Sequence, residues 1–150
     1  MTTEADIESA PLIQGNSIKL SKLNGILCAG VRTSPIIKEN MIDNNRKAGI
    51  KICEEAHAEI CEQNKINKNY TQGILIVEGS SARICENHIT RNTKANIAFG
   101  GKGSGKTLIE KNVISGSIAE GVFLVEGEEH ATIVHNTIHE NKDGVVLYNS

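Results

Sequence analysis

Tryptophan is absent from this 150-residue chain, and two Phe with two Tyr are its entire aromatic complement. That leaves little surface for stacking bases or sugars. Charge of one sign is lacking too: 16 Lys and Arg against 18 Asp and Glu give a formal net charge of −2. No global basic field is therefore available to hold nucleic acid or an anionic membrane, and neither is expected as a partner. No stretch approaches the roughly 18 consecutive apolar residues of a membrane-spanning helix. The opening Met1-Thr-Thr-Glu-Ala-Asp lacks the basic-then-apolar pattern of a secretory signal. Aspartate is scarce, and Asp6, Asp43 and Asp143 all fall outside the strands predicted below. Cysteine is present, but Cys28, Cys53, Cys61 and Cys85 each lie in or beside an apolar, β-like run. Small disulfide scaffolds place cysteines among loops instead. All four are predicted to be buried free thiols, and a cytoplasmic location is expected. One glycosylation triplet, Asn69-Tyr70-Thr71, is a weak signal in so Asn-rich a chain.

What the chain has is a repeat. Asn-x-Ile recurs at Asn16, Asn40, Asn64, Asn87, Asn112 and Asn136, with spacings of 24, 24, 23, 25 and 24. Five residues after each stands a second polar residue: Ser21, Asn45, Asn69, Asn92, Ser117 and Asn141. Gly followed by Ile or Val comes next, at Gly25, Gly49, Gly73, Gly121 and Gly144; the fourth repeat alone has Asn96-Ile97. The unit reads Ile-x-x-Asn-x-Ile-x-x-Asn-x-x-x-Gly-Ile-x-Ile, closed by a variable polar turn.

Apolar and polar residues alternate in Ile50-Lys-Ile52 and Val122-Phe-Leu124, the period of a strand. The chain holds 21 Ile against 8 Leu, a β-branched bias that favours strands over helices. Gly or Asn at the breaks suits positive φ. Three short strands per 24 residues predict an all-β, right-handed parallel β-helix of about six rungs over residues 11–150, after a polar lead-in at 1–10. Isoleucines should stack into interior columns. Asn16, Asn40, Asn64, Asn87, Asn112 and Asn136 should form a structural ladder at the bends, satisfying backbone groups that a corner would strand. A leucine-rich repeat also runs at this period but needs more Leu and a helical return. A left-handed β-helix needs hexapeptide periodicity.

This repeat resembles the parallel β-helix repeat of carbohydrate-binding and sugar-hydrolase-like domains, of periplasmic copper-site assembly proteins, and of the β-helical substrate-recognition region of F-box proteins. The resemblance covers residues 11–150. It implies the fold, while the same scaffold carries many activities. No F-box is present. Polysaccharide-cleaving members cluster Asp, Arg, Lys or His on one strand face, which the scarce Asp here does not match.

Gly100-Gly-Lys102-Gly-Ser-Gly105-Lys106-Thr107 matches the phosphate-cradling G-x-x-x-x-G-K-[ST] pattern. That motif needs a helix after it, whereas Thr107 onward reads as the next repeat. A flexible turn with two lysines is the plainer reading. Glu54, Glu78 and Glu126 each fall five residues after their repeat's Gly, an exposed acidic ridge interrupted by Lys102 and Lys106. The five histidines (His57, His88, His130, His135, His139) show no metal-ligand spacing, so no metal, cofactor or catalytic residue is expected. The expectation is a non-catalytic scaffold or recognition module. It would bind protein, or a second copy through open ends, with Glu54, Glu78, Lys102, Lys106 and Glu126 as candidate contacts. A carbohydrate-binding or carbohydrate-active domain is the alternative, and phosphate or nucleotide binding at 100–107 a third.

Overall fold

A computed structural model describes residues 10–100, 105–125 and 131–148. The chain coils through six layers of three strands. The first holds β1 (Leu12–Gln14), β2 (Ser17–Lys19) and β3 (Ile26–Ala29), and the second β4 (Ile36–Lys38), β5 (Met41–Asp43) and β6 (Ile50–Cys53). The third holds β7 (His57–Cys61), β8 (Lys65–Asn67) and β9 (Ile74–Val77), and the fourth β10 (Ser81–Cys85), β11 (His88–Thr90) and β12 (Ile97–Gly100). The fifth holds β13 (Thr107–Glu110), β14 (Val113–Ser115) and β15 (Glu120–Val125), and the sixth β16 (Ala131–Val134), β17 (Thr137–His139) and β18 (Asp143–Tyr148). Every strand pairs in parallel with its counterpart one layer away, giving three six-stranded sheets and about five full turns from first layer to last. No described residue is helical.

Register aligns the isoleucines. Ile42, Ile66 and Ile89 stand over one another in the second sheet. Ile37, Ile60, Ile84 and Ile109 do so in the first, and Ile50, Ile74 and Ile97 in the third. All ten are fully buried, each contributing about 1.5–3 kcal/mol by its removal from water.

Several sequence expectations are corrected. The repeat glycines do not hold positive φ. A Cβ at Gly49 would instead stand 2.8 Å from both the Gly73 carbonyl oxygen and the Asn69 amide nitrogen of the next layer. Gly is required there for closeness. Left-handed residues recur just before the asparagines, at Glu39, Gln63, Glu86, Lys111 and His135 before the first series and Asn44, Lys68, Arg91 and Glu140 before the second, and also in turns, at Glu54, Glu55 and Glu78. Cys61 and Cys85, paired in register on β7 and β10, form a disulfide with their Cα atoms 4.6 Å apart, so these two are not free thiols. Cys28 and Cys53 are free and buried. Disulfides persist in oxidising surroundings, so a cytoplasmic location no longer follows from the cysteines. Asp43 and Asp143 lie on strands, at the ends of β5 and β18.

Candidate functional site

The recurring asparagines spend their hydrogen bonds on the fold. The Asn40 backbone N–H and side-chain amide donate to Asn64 Oδ1 at 3.0 and 3.1 Å, while Nδ2 also donates to the Ile13 and Lys38 carbonyls. Asn64, Asn87 and Asn112 repeat the pattern, ending on Asn136. A second ladder runs Asn45, Asn69, Asn92. Asn69 is fully buried in it, so the glycosylation triplet is closed in the folded chain.

Glu54 and Glu78 immediately follow β6 and β9 in register. Both are exposed and left-handed at φ 54°. Their carboxylates and the Cys53 Sγ all lie within 4.8 Å of one another. Lys102 and Glu126, with His130, lie outside the described residues. Lys106 is exposed just before β13. Thr107 opens a strand, not a helix, and its buried hydroxyl accepts the Ala82 N–H at 3.1 Å. The phosphate-cradling pattern therefore lacks the helix it needs.

The structure also brings together residues that the sequence did not single out. On the outer face of the third sheet, register aligns Leu27 with Lys51, Leu75, Ala98, Phe123 and Val146. The next outward row includes Ala29 beside Cys53, Val77 beside Gly100, and Val125 beside Tyr148. This outer face is mostly apolar, with the Phe123 and Tyr148 rings stacked at 6.3 Å. A notch of about 320 Å3 opens beside Ala98 and Phe123, lined also by Ala95, Ala119, Gln72, Lys94 and Glu120. In the sequence these residues alternate with inward isoleucines, so Ile74-Leu-Ile-Val77 reads as one apolar run and hides its outward half.

On the first sheet's outer face, His57 Nδ1 lies 2.6 Å from Ser81 Oγ, and Arg83 bridges Glu59 and Glu110 at 3.2 and 3.5 Å. Burial, with the neighbouring Cys53, pushes the Cys28 thiol up to about 11. Burial and the Glu78 carboxylate, then Glu54, push Cys53 up against the opposing pull of Lys51.

Stacked parallel layers with an aliphatic interior and an apolar outer face define a β-solenoid repeat domain of the scaffold or recognition type. Two overlapping matches to the family model described as "Right handed beta helix region", over residues 4–93 and 61–150, span nearly the whole sequence. The chain belongs to that family. Searches of curated proteins and of solved structures returned no significant match.

Proposed function

We propose that the chain is a non-catalytic recognition module that binds a protein partner along the outer face of its third sheet. The observation carrying this reading is the aligned outward row Leu27, Lys51, Leu75, Ala98, Phe123 and Val146, apolar but for Lys51, with a notch beside Ala98 and Phe123. Contiguous apolar surface rimmed by polar groups marks recognition sites, and repeat solenoids present such surfaces in extended form. Lys94 and Glu120 at the rim offer both charges to a peptide backbone or side chain. The end layers carry exposed Leu20 and Leu23 at one end and Leu147 at the other, which supports self-association as a second use of the rod.

The carbohydrate reading keeps one supporting observation: Phe123 shares the notch with Glu120 and Gln72, an aromatic platform beside hydrogen-bonding groups. Selection from a displayed peptide library, beside a glycan array, separates the two. Peptides retained by wild type and lost by Leu75→Lys and Phe123→Lys, with Glu54→Lys unaffected, support protein recognition. Glycan binding lost in the same two variants favours the alternative, and no selective binding of either kind overturns the proposal.

A further inference from the structure

We propose that Cys53, Glu54 and Glu78 form a binding site for a borderline-soft divalent cation of the zinc class. The three donor atoms come from adjacent layers: Cys53 closes β6, Glu54 follows it, and Glu78 follows β9 one layer on. All three atoms lie within 4.8 Å of one another. In a tetrahedral zinc site, with sulfur at about 2.3 Å and carboxylate oxygen at about 2.1 Å, donor atoms sit about 3.6 Å apart. The two glutamates are exposed and close that difference by side-chain rotation, without moving the rods of backbone beneath them.

A pair of surface carboxylates alone would say nothing about a ligand. Here the third donor is a free thiol, 6% exposed, set against the two carboxylates in a cluster that has no ion pair among the described residues. Lys51 is the cation already near the cluster, and among the described residues it makes no ion pair with either carboxylate. One sulfur with two oxygens excludes a calcium-type cage, which takes six or more oxygens. It suits zinc or cadmium, with the remaining position open to water. Binding forms the sulfur–metal bond and releases the thiol proton to solvent.

The full chain is titrated with Cd2+ and then Zn2+ without reductant, so that the Cys61–Cys85 disulfide stays intact. Ultraviolet thiolate-to-Cd2+ charge-transfer absorption is the readout, because histidines do not produce it. The expected result is a band saturating at one Cd2+ per chain and displaced by Zn2+. Cys53→Ser should abolish it while Cys28→Ala keeps it. Glu54→Gln with Glu78→Gln should weaken binding at least roughly tenfold, since even outer-shell partners are worth 10- to 100-fold. Circular dichroism confirms that each variant is folded. Absence of the band in wild type, its survival in Cys53→Ser, or unchanged affinity in the double glutamine variant each overturns the site.

Discussion

Asn96 supplies to the second asparagine ladder the carboxamide that Ser117 lacks. In the layers below, Asn45 donates to Asn69 and Asn69 to Asn92, both at 3.0 Å. The next position in series is Ser117, and Asn92 donates instead to Asn96 Oδ1 at 2.8 Å. Asn96 Nδ2 then continues to Asn141 Oδ1 at 3.0 Å, with a branch to the Ser115 carbonyl. Asn96 occupies the repeat's glycine position, where a Cβ is otherwise refused: at Gly73 it would stand 2.6 Å from the Asn92 amide. Losing Asn in one layer therefore admits Asn in the layer beneath it.

That coupling predicts a double-mutant cycle. Asn96→Gly takes the Oδ1 acceptor from the buried Asn92 N–H and side-chain amide, while Asn141 Oδ1 and the Ser115 carbonyl keep the Ser117 and Arg91 N–H donors, and should cost about 1–3 kcal/mol. Ser117→Asn alone overpacks the corner, at about 1–3 kcal/mol. Combined, the two restore the repeat, and a coupling energy of at least about 1 kcal/mol should appear in urea unfolding. Strict additivity would contradict the relay.

Ser80 carries the buried side-chain oxygen that finds no hydrogen-bond partner among the described residues. It is fully buried, as is Ala56 at the equivalent turn one layer earlier. Since an unsatisfied buried hydroxyl costs about 1–3 kcal/mol, Ser80→Ala should raise stability by about 1 kcal/mol. A lower thermal midpoint for the variant would show that the hydroxyl has a partner in solution.

The Cys61–Cys85 disulfide links residues 24 apart. Closing such a loop restricts the unfolded chain by about 3 kcal/mol in the chain-entropy description. Dithiothreitol should lower the thermal midpoint of wild type and leave the Cys61→Ser/Cys85→Ser variant unmoved. Equal midpoints with and without reductant would exclude the bond as a stabilising element.

The sequence made the solenoid legible because each layer repeats one constraint. Ile42, Ile66 and Ile89 can stack only if the period is a full turn, and six copies of the pattern leave no other period. The disulfide was not legible, since Cys61 and Cys85 differ in no local feature from buried thiols; only the register of β7 on β10 places them side by side. The glycine role was misread for a similar reason. A residue chosen for closeness to the next layer looks, in one dimension, like a residue chosen for positive φ. The notch sits at one departure from a row of larger side chains, Ala98 beside Phe123. Such a departure becomes visible only when the outward row is assembled across layers.

Alkaline stability isolates the interior thiol. Cys28 points into the third sheet's core, 2% exposed, and its pKa rises from an ordinary 9.0 to about 11 through burial, with a smaller push from Cys53. A folded-state pKa above the unfolded one means that the unfolded chain loses its proton first. The favourable contribution is thus complete below pH 9.0 and disappears as pH rises toward about 11. Urea unfolding across that window, in the presence of a chelator, should show wild-type stability falling with pH. Cys28→Ala should have a shallower decline despite a lower starting stability, because it retains every other alkaline titration. Parallel curves for the two proteins would mean that the Cys28 thiol ionises as readily in the folded layer as in the open chain.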